Sequence, residues 1–181
     1  GSESWSASAP GTITSGNYTV TRNIIHDIVE QRTFSAAGIL ASTTGGGNPT
    51  NNLIANNFVY NVIANGTSGD QPVGIGIAGG HSDNIVFNSI SMTGDMDGTG
   101  ATTAATYGNA IRIANASGAT HANLNLKNNS IFMDVNSNTT TLPYFAITVN
   151  SSAYAFGTGG LDNNNYFVNL GNAQMNTGGL T

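Results

Sequence analysis

Four dipeptides, Gly38-Ile39, Gly74-Ile75, Ala110-Ile111 and Ala146-Ile147, follow one another at intervals of 36, 36 and 36 residues. Two positions further on, Ala41, Ile77, Ile113 and Val149 repeat the apolar character. A fixed period of that size in a strand-like segment means one supersecondary unit stacked on copies of itself. Such a chain needs no second core, because each copy buries its apolar side chains against the next.

A second column supports the first. Asn23, Asn57, Asn88, Asn129 and Asn165 sit in a frame of apolar-x-x-Asn-x-apolar, with flanking pairs Val20/Ile25, Ile54/Val59, Ile85/Ile90, Leu126/Ile131 and, breaking the frame, Asp162/Phe167. The steps between these asparagines are 34, 31, 41 and 36 residues, so the length varies in loops while both columns persist. The run Asn163-Asn164-Asn165 leaves the last turn ambiguous by one residue. Each unit then reads as three short strands. The first ends near the Asn, the second starts one residue after it, and the third carries the Gly/Ala-Ile pair. Asparagine tolerates positive φ, so it is expected to turn the chain between the first two strands. Stacked at the ~4.8 Å strand spacing, these amides are expected to hydrogen-bond from unit to unit as a ladder.

The Asn-x-apolar turn, the Gly/Ala-Ile strand and the unit length resemble right-handed parallel β-helix proteins of the pectate-lyase-like superfamily. Stretches such as NNLIANNFVYNVIANGTSGDQPVGIGIAGG and NNSIFMDVNSNTTTLPYFAITVN are similar to those of large surface-exposed bacterial β-helix proteins. The expectation is an all-β, right-handed parallel β-helix of about five coils with three short strands each, over residues 18–170. Residues 1–17 are expected to be a lead-in or a cap around Trp5, and residues 171–181 a tail that continues in a longer chain. The resemblance implies fold far more specifically than activity, since that superfamily includes lyases, hydrolases, adhesins and inert stalks.

Composition narrows the function classes. Charged residues make up 7% of the chain and the only cations are Arg22, Arg32, Arg112 and Lys127, against a net charge of −5, which argues against nucleic-acid binding. There is no cysteine, so neither disulfides nor thiolate metal sites are available. No apolar run approaches the roughly 18 residues of a membrane span. The opening Gly1-Ser2 resembles a cloning scar and no signal peptide is seen, so the expectation is either an export signal already removed or a segment cut from a longer protein; the Asn/Thr-rich, Lys-poor composition resembles bacterial extracellular proteins.

Candidate site residues are few. Ile111 and Ile113 facing inward would turn Arg112 outward, in register with Leu40, Gly76 and Thr148. The resemblance implies that this strand face forms a polysaccharide groove, where an arginine would grip a sugar carboxylate bidentately. Tyr107 and Tyr144 precede that strand in coils three and four and would stack on sugar rings, with packing onto the coil as the plainer alternative. His81 and His121 follow it and would face the groove, without a sequence partner that makes either a catalytic base. Asp95, Asp97 and Gly98 resemble the start of a calcium loop whose remaining ligands are missing, so calcium is a weak candidate and no other cofactor is expected. His26 with Asp27 or Glu30 could form an acid/base pair or metal site, but strand alternation separates His26 from Asp27 and favours a solvated edge.

Lyases of this fold need a basic residue to take the proton, and hydrolases need paired carboxylates. The expected groove face offers one arginine, no lysine and no acidic strand residue. The expectation is a non-catalytic, carbohydrate-binding extracellular module whose partners are a polysaccharide or cell-surface glycan and other domains of the parent protein. A polysaccharide lyase or glycoside hydrolase is the first alternative and a purely structural stalk the second.

Overall fold

The computed structural model describes residues 16–30, 35–42, 49–64, 71–78, 82–95, 108–114, 121–136, 144–149 and 154–169. Coil one contains β1 (Thr19–Thr21), β2 (Ile24–Glu30) and β3 (Ala36–Ser42), and coil two β4 (Leu53–Ala55), β5 (Phe58–Ala64) and β6 (Pro72–Ala78). Coil three contains β7 (Asn84–Val86), β8 (Ser89–Asp95) and β9 (Gly108–Ala114), and coil four β10 (His121–Lys127), β11 (Ser130–Asn136) and β12 (Tyr144–Val149). Coil five supplies β13 (Tyr154–Asp162) and β14 (Asn165–Val168). All registered pairs are parallel and join like with like. The first sheet runs β1-β4-β7-β10-β13, the second β14-β11-β8-β5-β2 and the third β12-β9-β6-β3. This is a three-sided parallel β-helix. The Trp5 region and residues 171–181 lie outside the described residues.

The core is a set of vertical stacks. Val20, Ile54, Ile85, Leu126 and Leu161 align in the first sheet, and Ile25, Val59, Ile90, Ile131 and Tyr166 in the second. Ile39, Ile75, Ile111 and Ile147 align in the third. Side chains of the middle coils, Ile75, Ile85 and Ile111 among them, are fully buried, each contributing about 1.5–3 kcal/mol.

The Gly/Ala-Ile motif marks a kink rather than simple alternation. Registered pairs in the third sheet run Ala37↔Val73 and then Ile39↔Ile75, skipping the step at 38 and 74. Ala110 and Ile111 are consecutive, yet both are fully buried in the same core cluster. Two neighbours facing inward leave no room for a second large side chain. A Cβ on Gly38 would lie 2.4 Å from Val59 Cγ1, and one on Gly74 2.6 Å from the Ala110 carbonyl oxygen.

The asparagine ladder is present, with two corrections. Asn23 Nδ2 donates to Asn57 Oδ1 at 2.9 Å, Asn57 to Asn88 at 3.0 Å, Asn88 to Asn129 at 3.0 Å, and Asn129 to Asn164 at 2.9 Å. The last member is therefore Asn164 rather than Asn165. Shifted by one residue, the frame around it is intact, because Leu161 and Tyr166 hold the flanking inward positions. The left-handed residue is also not the ladder asparagine but the one before it: Arg22, Asn56, Phe87, Asn128 and Asn163 have φ of 60°, 55°, 58°, 56° and 53°. The ladder side chains instead satisfy backbone groups. Each Oδ1 accepts the backbone N–H of the ladder asparagine one coil earlier, as in Asn57 N to Asn88 Oδ1 at 3.1 Å. Each Nδ2 also donates to a first-sheet carbonyl, as Asn88 does to Ile54 at 2.9 Å.

A second polar column closes the start of the first sheet. Asp83, buried, accepts from Thr50 Oγ1 at 2.7 Å and from Asn52 N at 2.8 Å, and Asn52 Oδ1 accepts from Tyr18 N at 3.1 Å.

Candidate functional site

The expected groove face of the third sheet is closed over its middle coils. The register is as expected, with Leu40, Gly76, Arg112 and Thr148 in one column. Arg112, however, is only 9% exposed, and its Nε and Nη1 are shut off from solvent. Its neighbours in coils two and three share its burial, whereas Leu40 of coil one is exposed and Thr148 of coil four half-buried. Val73 is fully buried yet outside the core cluster, and Asn109 is buried while donating to Gln71 Oε1 and accepting from Thr148 Oγ1. Alternation predicts which way a side chain points and says nothing of what lies above it; here the outward arginine is desolvated.

The other expected residues disperse. Tyr144 opens β12 opposite Gly108 and is fully buried, a core residue rather than a groove wall. Its Cδ1 lies 2.1 Å from where a Gly108 Cβ would stand, so the glycine makes room for the ring. His121 opens β10 in the first sheet, opposite Tyr154, away from the third. Asp95 ends β8 opposite Asn136. Tyr107, His81 and Asp97 lie outside the described residues. Among the described residues no group of three or more His, Cys, Asp or Glu is placed to hold a metal ion. No described helix is long and apolar enough to cross a membrane.

The open, chemically structured face belongs to the second sheet. Its outward positions fall three residues after each ladder asparagine: His26, Tyr60, Ser91, Phe132 and Phe167 form one continuous column. His26 stacks on Tyr60 with centroids 4.8 Å apart and planes within 6°, and Phe132 stacks on Phe167 at 4.8 Å and 7°. Parallel rings that close lie face over face, since coplanar neighbours would overlap. Phe132 and Phe167 are 42% and 52% exposed. Beside this column runs another, Ile24, Phe58, Ser89, Ser130 and Asn165, with the Phe58 ring tilted against Tyr60 at 4.9 Å.

On the other flank the strands bulge. Register jumps from His26↔Tyr60 to Ile28↔Val62, and the skipped residues Asp27 and Asn61 take left-handed φ of 56° and 52°. The bulge overturns the expected separation of His26 from Asp27. Both now lie on the outer face, with His26 Nδ1 2.7 Å from Asp27 Oδ2, while Asn61 Nδ2 donates to Asp27 Oδ1. These two bonds, Asn61 first, hold the Asp27 carboxyl below the usual carboxylate range. Farther along the face, Asn169 Nδ2 donates to Asp134 Oδ1 at 2.8 Å. None of the five strands of this sheet contains a lysine or arginine.

Chemically, the face combines exposed aromatic rings with hydroxyls, amides and carboxylates at strand spacing. Comparison of the chain with protein-family models, curated proteins and solved structures finds no match.

Proposed function

We propose that this chain is a non-catalytic, carbohydrate-binding β-helix module of a secreted or surface protein, and that its glycan rests on the outer face of the second sheet. One observation carries the reading: exposed aromatic rings stand in register across a rigid parallel sheet, with hydroxyl and amide groups between them. Sugar rings present apolar C–H faces and a rim of hydroxyls, which such a surface matches group for group. Resemblance to pectate-lyase-like β-helix proteins, with their secreted and surface-exposed settings, supports the class. The groove expected around Arg112 and Tyr144 is replaced by the face that is open.

Native affinity electrophoresis through gels containing a panel of polysaccharides tests this. Retardation in at least one gel is expected, with loss of most of it in Phe132→Ala or Phe167→Ala. Removal of a stacking ring costs about 1 kcal/mol or more, a fivefold or larger loss. Unchanged mobility of the wild type in every gel would leave the stalk reading in its place.

Polysaccharide cleavage is the second reading, favoured by the His26–Asp27 pair, in which the carboxylate orients the imidazole. It requires release of reducing ends or unsaturated sugars that disappears in His26→Gln.

A further inference from the structure

The ring column of the second sheet has one gap. Two strands away from each other, Tyr60 and Phe132 face across Ser91, the only member of the column that is neither aromatic nor histidine. Each existing ring pair is separated by 4.8 Å. Two strand spacings, roughly 9.6 Å, separate the backbone positions that carry Tyr60 and Phe132, which is room for one ring between side chains standing upright from them. The outward residues of β8 are Ser89, Ser91 and Thr93, so the floor of this slot is a row of hydroxyls running along the strand. Phe58 and Tyr60 wall one side; Ser130, Phe132 and Asp134 wall the other.

We infer that this slot takes one pyranose ring of a neutral glycan, standing edge-on above Ser91. Its two C–H faces lie against Tyr60 and Phe132, and the hydroxyls on its lower edge bond the Ser89, Ser91 and Thr93 row. The inference rests on the glycan-binding reading and adds the subsite and the charge class. Charge decides the class: with Asp27 and Asp134 on the face and no lysine or arginine in its five strands, a uronate would meet repulsion and find no counter-ion. The carboxylates instead accept hydrogen bonds from neutral hydroxyls.

The test fills the slot. In Ser91→Phe the new ring continues the existing stack, so the thermal melt is expected to stay within a few degrees of wild type while binding falls at least tenfold. Tyr60→Leu removes one wall without filling the space and is expected to weaken binding as well, which keeps the test decisive should Ser91→Phe fold poorly. Both are run by affinity electrophoresis in neutral gels (β-glucan, galactomannan, xylan) and acidic gels (polygalacturonate, alginate). Retardation confined to neutral gels, lost in both variants, supports the slot. Retardation confined to acidic gels overturns the neutral-glycan assignment. Wild-type retardation that survives in both variants, yet is lost in Phe167→Ala, overturns the slot and leaves the binding face standing. No retardation in any gel overturns the slot together with the reading beneath it.

Discussion

A single ladder asparagine does more than hydrogen-bond its neighbour. Asn88 donates to Asn129 Oδ1 and to the Ile54 carbonyl, and its Oδ1 accepts from both the backbone and the side chain of Asn57. Asn88→Ala would strand the Asn57 N–H and the Ile54 carbonyl inside the solenoid. At about 1–3 kcal/mol per unsatisfied buried group, the loss should reach roughly 3–5 kcal/mol. Asn23, exposed at the first coil, donates only to Asn57 and to Thr21, and Asn23→Ala should cost about 1 kcal/mol. Urea unfolding of the two variants checks the order; equal losses would show that the ladder amides contribute no more in the middle than at the end. The residue before the ladder position carries the backbone requirement, and at 87 it is met by phenylalanine, 55% exposed in a left-handed conformation that bulky side chains seldom adopt.

At the level of the strand, two irregular steps decide what the sheets present. The kink of the third sheet turns consecutive residues inward and demands the small residue that the repeat records. The Asp27/Asn61 bulge of the second sheet does the converse, bringing two consecutive residues, His26 and Asp27, to the outer face. Asp27 lies below its ordinary value of 3.8 in the folded chain, so its contribution to stability is present above that value and is lost as pH falls through the lower folded value. Asp27→Asn should therefore make the acid limb of the stability profile shallower below about pH 4 and leave the neutral region little changed. Thermal melts from pH 2 to 7 check this, and a variant whose acid limb is as steep as wild type would show that the bulge bonds contribute nothing. The side chain is exposed, so the effect is small.

Taken whole, the molecule is a one-dimensional stack in which each coil touches only its neighbours. Stability should then depend on where along the axis a contact is lost. Ile111 is fully buried in coil three with partners above and below, whereas Ile28 of coil one is 36% exposed at the end of the stack. Ile111→Asn should abolish the cooperative melt seen by circular dichroism, and Ile28→Asn should lower its midpoint by a few degrees only. Comparable losses would mean that the coils unfold as one unit without regard to position. The same linear construction explains why a ligand face can be so regular: one residue choice per coil, repeated at strand spacing, writes a column on the surface.

Coil count, strand order within each coil, inward stacks and, to within one residue, the asparagine ladder are all legible in the order of the amino acids. The physical reason is that those features are periodic, and a period survives loops of variable length. The ring column was legible too, since His26, Tyr60, Ser91, Phe132 and Phe167 each stand three residues after a ladder asparagine once the last one is placed at Asn164. Nothing in the pattern marks that column as a site, because outward positions carry no periodic constraint and its members, histidine, tyrosine, serine and phenylalanine, share no residue type. Which outer positions meet water is a property of the assembled coils. Alternation assigns Arg112 and Phe132 equally to the outside, but one is desolvated and the other meets water. The meeting of His26 and Asp27 also belongs to the folded chain: the bulge marks the apolar pattern only as a three-residue step, Ile25 to Ile28 and Val59 to Val62, and that step does not say that both skipped residues turn to the outer face.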